Sequence, residues 1–137
     1  MILAMAGMSG GCAKSPPPQL ETYPVTGLVQ FQSQPAKGAE IRLKPLVPLV
    51  DPLGRSVEPY GFVDNDGYFT VSTYAKGDGA PPGEYAVTIY WPTVRIEGGE
   101  PIYGPDRLQD RYRNPARPLV RLTVVEGSNA VPDINLK

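Results

Sequence analysis

Seventeen prolines, spread from Pro16 to Pro132, set the first limit on this 137-residue chain. Each fixes φ and lacks an amide hydrogen, so an interior proline costs a helix about 3 kcal/mol. A helical bundle is excluded. Glycine and proline together approach a quarter of the residues, yet 41% are hydrophobic, enough for the core of a single domain.

What the prolines leave is a run of short segments with an apolar period of two. Tyr85, Val87, Ile89 and Trp91 share one face of Glu84–Trp91, with Glu84, Ala86, Thr88 and Tyr90 on the other. Val120, Leu122 and Val124 alternate with Arg121 and Thr123, and Ile41 and Leu43 alternate with Glu40, Arg42 and Lys44. Such alternation marks strands buried on one side. Val25, Val29 and Phe31 predict a first strand, Phe62-Val63 and Phe69 to Val71 a hairpin pair, and Val131 to Leu136 a last strand. Asp64-Asn65-Asp66-Gly67 suits the hairpin turn, because Asn, Asp and Gly accept positive φ. The expectation is an all-β, seven-stranded antiparallel β-sandwich of two sheets. Two long connections, Pro45–Pro59 and Pro92–Pro118, interrupt it, and Pro105–Tyr112 is expected to form one short helical turn.

The first residues read as a processing segment. Met1–Met8 is apolar and too short to span a bilayer, and Ser9-Gly10-Gly11 leads into Cys12, the sole cysteine. Small residues before a Cys resemble the bacterial lipobox, where the signal is cut before the Cys and its sulfur is lipidated. Ser9 stands where that motif usually has Leu, and no Lys or Arg precedes the apolar run, a departure that a start codon assigned too far downstream would explain. Residues 1–11 are thus expected to be a signal segment and 12–22 a lipid anchor with a Pro-rich tether. Residues 23–137 are expected to form the sandwich. Ala13 to Gln19 would be extended, at about 3 Å per residue.

Four segments then bear a resemblance. They are Tyr23-Pro24-Val25-Thr26-Gly27-x-Val29, Asp64-x-Asp66-Gly67-x-Phe69, Gly77-Asp78-Gly79-Ala80-Pro81-Pro82-Gly83-Glu84-Tyr85-x-Val87-Thr88-Ile89-x-Trp91-Pro92, and Gly104-Pro105-Asp106-Arg107-Leu108-x-x-Arg111-Tyr112. Together they resemble the small carboxypeptidase regulatory-like (transthyretin-like) lipoproteins of bacteria, over nearly all of Tyr23 to Leu136. The resemblance implies a transthyretin-like sandwich and an exported, lipid-anchored location, on the periplasmic or outer surface of the envelope. It implies no established reaction and supplies no catalytic residues.

Equipment for catalysis is sparse. The chain has no His, which removes the commonest general base and metal ligand, and one Cys makes no internal disulfide or redox pair. Asp64 to Gly67 fails as a calcium loop, because Phe62 and Thr73 fall where its first and last ligands belong. Gly77–Gly83 fails as a phosphate loop, because a strand and not a helix follows, and Pro81 and Pro82 offer no amide. No catalytic residue, metal or cofactor is expected. A formal charge of −1 gives no field for nucleic acid.

Binding is the remaining chemistry. Trp91 has core parity, whereas Tyr90 faces outward, and Tyr90, Tyr103 and Tyr112 with Arg107 and Arg111 form the candidate ligand set. Aromatic faces stack on the C–H faces of sugars, and Arg forks match carboxylate or phosphate. The plainer reading of Arg107, Arg111, Arg113, Arg117 and Arg121 is pairing with Asp106, Asp110, Glu97 and Glu100. The expected function is a non-catalytic, envelope-anchored structural or protein-interaction module, with a carbohydrate or small-ligand binding module as the alternative. Expected partners are the membrane, through lipidated Cys12, and an envelope protein or polysaccharide.

Overall fold

A computed structural model describes residues 18–137; the expected signal segment, residues 1–11, and Cys12 lie outside the described residues. The strands are β1 (Val25–Phe31), β2 (Gln34–Pro35), β3 (Glu40–Pro45), β4 (Tyr60–Phe62), β5 (Tyr68–Thr70) and β6 (Gly83–Tyr90), followed by β7 (Pro92–Glu97), β8 (Glu100–Asp106), β9 (Val120–Val124), β10 (Asn129–Ala130) and β11 (Ile134–Leu136). One sheet is antiparallel in the order β4-β3-β6-β9. The other is built on β1, with β5 and β2 along one edge and β10 and β11 along the opposite edge.

The period-two faces fold as expected. Val25 and Val29 of β1, Ile41 and Leu43 of β3, Tyr85, Val87 and Ile89 of β6, and Leu122 and Val124 of β9 are all buried in one core. Trp91 joins them, its indole N–H donating to the Lys37 carbonyl at 2.8 Å. The chain is an all-β sandwich, and each expected strand is present. The last is shortened to β11, Ile134–Leu136, with the separate two-residue β10 just before the expected start, and both run parallel to β1, a local exception to antiparallel pairing. Tyr23, ahead of β1, is bridged to Ala80.

The helical turn expected in Pro105–Tyr112 does not form. Pro105 and Asp106 end β8, and residues 107–112 make successive turns. Gln109 and Asp110 have φ of 55° and 60°, which breaks a right-handed helix. The Asp106 carboxylate takes the amides that a helical first turn would leave open, drawing Leu108 and Asp110 around itself. The Pro92–Pro118 connection also contains the unexpected β7–β8 hairpin, turned by Gly98 and Gly99 at φ 60° and 82°.

Asp and Asn side chains close the turns. Asp64 Oδ1 accepts the amides of Asp66 and Tyr68 at 2.9 and 3.0 Å, which makes the expected hairpin turn. Asp78 accepts from Thr73, Tyr74 and Ala75, and the Asn129 amide bridges Val125 and Gly127.

Candidate functional site

The outer face of the β4-β3-β6-β9 sheet carries a groove whose origin is the strand register. Glu40 pairs with Phe62 on one side and Tyr90 on the other, so Phe62, Glu40 and Tyr90 form one cross-strand row. Tyr60, Arg42 and Thr88 form the next, and Lys44, Ala86 and Arg121 the one after. The outward positions of β6 are small, Ala86 and Thr88, while those of β3 are long, Arg42 and Lys44. A trough therefore runs along the central strand, and the longer side chains bury its floor.

Two connected hollows occupy this face. One, about 390 Å³, is lined by Glu40, Arg42, Lys44, Thr88, Tyr90 and Arg113. The second, about 520 Å³, is mainly apolar and is lined by Glu40, Phe62, Tyr90, Pro92, Val94 and Tyr103 among others. Tyr90 and Glu40 form the wall between them. The Arg113 guanidinium lies 4.2 Å from the centre of the Tyr90 ring, so it covers one face of that ring. Phe62 and Tyr103 keep exposed faces, and Tyr60 packs edge-on against Phe62.

The charges are paired. Arg42 bridges Glu40 and Glu58, Lys44 reaches Glu58 at 2.7 Å, and Arg113 reaches Asp110 at 2.9 Å. Burial alone would raise the Glu58 carboxyl, but hydrogen bonds from Lys44 and Arg42 outweigh it and hold the carboxyl below its ordinary range. The Arg113 guanidinium is pushed up by its hydrogen bond to Asp110. Glu40, Glu58 and Asp110 thus balance Arg42, Lys44 and Arg113, and the groove offers donors and acceptors together.

Only part of the expected ligand set meets here. Tyr90 and Tyr103 line the apolar hollow. Arg107 instead stacks over Trp91 at 4.6 Å. Arg111 lies over Tyr112 and donates to the carbonyls of Leu108 and Lys137. Tyr112 packs against the core. Of the expected arginine–carboxylate pairs, Arg113–Asp110 is present. Phe62, Glu40, Arg42 and Lys44 join the site without being among the expected residues; the only sequence signal for the last three is the outward parity of β3, and Phe62 carries none beyond its place in the hairpin.

No family model matches the chain, and no curated protein matches it. Solved structures that are similar include the following two. One is a candidate carbohydrate-binding protein from Pseudomonas aeruginosa, 14% identical, with a TM-score of 0.47 over 85% of this chain and 90% of that one. The other is a 9R-lipoxygenase from Cyanothece, 16% identical, with a TM-score of 0.44 over 95% of this chain and only 18% of the lipoxygenase.

Proposed function

We propose that the protein is a non-catalytic binding module of the bacterial cell envelope, held to a membrane through lipid at Cys12, whose groove takes a neutral saccharide. The carrying observation is the Phe62–Glu40–Tyr90 row, with Tyr103 beside it and paired charges beyond. Exposed aromatic faces suit the C–H faces of a sugar ring, and mixed donors and acceptors suit its hydroxyls. Each hollow is of ligand size. Because the carboxylates and cations cancel, a polyanion gains little here. The buried carboxylates Asp51 and Asp106 are occupied by backbone amides, which favours a non-catalytic role. The family resemblance of the Gly77–Pro92 and Gly104–Tyr112 segments accords with an anchored sandwich.

Screening neutral oligosaccharides, followed by calorimetry of any hit, tests the reading. Phe62→Ala and Tyr103→Ala should each weaken binding about tenfold, while Arg107→Ala, outside the groove, should leave it unchanged. Silence across a broad set of glycans, or full affinity in both aromatic variants, would overturn it. A second reading, docking of an envelope protein, draws on the exposed Val94, Ile96 and Ile102 of the β7–β8 ribbon. Ile96→Asp would abolish that docking without touching saccharide affinity.

A further inference from the structure

Between β3 and β4 the chain runs Pro45-Leu46-Val47-Pro48-Leu49-Val50-Asp51-Pro52-Leu53-Gly54. Leu46, Val47, Val50 and Leu53 are exposed, Val47 by 77%. Leu46 and Val47 line a shallow apolar hollow of about 250 Å³, together with Pro45, Pro48, Leu49 and Pro82–Tyr85. The one charge in the run, Asp51, is turned inward and is only 4% exposed. Its Oδ1 accepts the amides of Leu53 and Arg55, and its Oδ2 accepts Arg55 Nε at 2.7 Å and the Tyr74 hydroxyl at 3.2 Å. The surface of the loop is thus apolar, with Arg55 at its base.

A second observation says what faces it. The N-terminal strand of chain enters the fold at this loop. Arg55 Nη2 donates to the Pro18 carbonyl at 3.4 Å, and the Leu20 amide donates to the Tyr74 hydroxyl at 3.2 Å, the same hydroxyl that holds Asp51. Six residue steps separate Pro18 from Cys12, and fully extended they span at most about 20 Å. A lipid at Cys12 would therefore keep Pro18, and with it Arg55 at the base of this loop, within that distance of the bilayer surface.

We propose that Leu46–Leu53 is a membrane-contact loop. Its apolar side chains enter the lipid interface, and Arg55 meets the headgroups. The direction in which the loop faces rests on the anchoring proposed above; its affinity for lipid does not. The test uses the full chain made without lipidation, floated with vesicles of phosphatidylethanolamine and phosphatidylglycerol. The parent should partition onto them. Val47→Asp and Leu53→Asp should each lower the partition coefficient roughly tenfold, and Val47→Ser by less. Ile96→Asp, on the distant ribbon, should leave it unaltered. Thermal melts matching the parent's would show that the loop variants are folded. Absent partitioning of the parent, or undiminished partitioning of both Asp variants, overturns the proposal; the second result would point to Met1–Met8 as the lipid-binding segment. Mass spectrometry of the membrane fraction reads the anchor separately: an unmodified Cys12 with intact vesicle binding would refute the anchor and support the loop.

Discussion

Replacing Asp106 by Ala removes the group around which residues 106–113 turn. Oδ1 accepts the amides of Trp91 and Leu108, and Oδ2 accepts that of Asp110, each at 3.0 Å. The residue is 8% exposed, so water replaces the carboxylate poorly. Hydrogen bonds to a charged group contribute about 1.5–3 kcal/mol each. The three share one carboxylate, and Asp110 is exposed and regains water, so the losses do not add fully. We expect Asp106→Ala to cost about 3–5 kcal/mol, a large part of the 5–15 kcal/mol typical of a domain. Asp106→Asn keeps Oδ1 and its two bonds but turns an amide donor toward Asp110; it should cost about 1–2 kcal/mol. Urea unfolding followed by circular dichroism measures both. Because Leu108 is buried beneath this turn and Arg113 follows it, groove affinity should fall with stability. An Ala variant within about 1 kcal/mol of the parent, or an Asn variant as damaged as Ala, would refute the reasoning.

Two further outcomes are expected. Burial pushes the Asp51 carboxyl up, but the Arg55 amide and guanidinium, the Leu53 amide and the Tyr74 hydroxyl outweigh it, so its pKa lies below the ordinary 3.8. A carboxyl depressed by folding contributes stability that is present above its unfolded pKa and lost as pH falls through its folded one. Unfolding free energy should therefore decline below about pH 4, and Asp51→Asn should flatten the decline; equal slopes for the two proteins would count against it. Gly79 has φ +95°, and a Cβ there would overlap the Tyr23 carbonyl across the Tyr23–Ala80 bridge. Gly79→Ala should cost more than about 2 kcal/mol, against about 1 kcal/mol for Gly98→Ala in open space at φ +60°; matching melting shifts would show the close approach to be unimportant.

How far the fold was legible follows from how local each signal is. The alternation in Glu84–Trp91 gave β6 its inward and outward faces because parity is a property of one strand. Asp64 to Gly67 gave its hairpin because a turn is made by its own residues. The β7–β8 hairpin escaped notice because Pro92, Pro101 and Pro105 read as breakers. In a two-stranded ribbon, however, many amides face outward and need no partner, and proline is tolerated there. The helical reading of Pro105–Tyr112 failed because Asp106 offered the backbone a better partner than its own carbonyls. The groove was legible only at Tyr90 and Tyr103. Its central row joins residues from three strands, and alternation within a strand does not say which strand lies alongside. The candidate set likewise took Arg107 and Arg111, whose planar groups lie over Trp91 and Tyr112, while the register of β3, β4 and β6 puts Arg42 and Phe62 at the groove and the turns after β8 bring Arg113 over Tyr90.

That register also gives the molecule a direction. β3 pairs with β6 from Glu40↔Tyr90 at one end to Pro45↔Tyr85 at the other. The aromatic row and the root of the β7–β8 ribbon lie at the Tyr90 end. The apolar loop leaves from Pro45, at the end where Pro82 and Gly83 lead into β6. Five residue steps of strand, about 17 Å, separate the two ends. Were lipid to take hold at the Pro45 end, the same strand pair would carry the aromatic row away from the membrane surface, toward whatever polymer or partner fills the envelope. A change that slid β3 by one residue against β6 would therefore do two things at once. It would turn Glu40 and Arg42 into the core and bring Ile41 and Leu43 to the surface, destroying the groove and the polarity together.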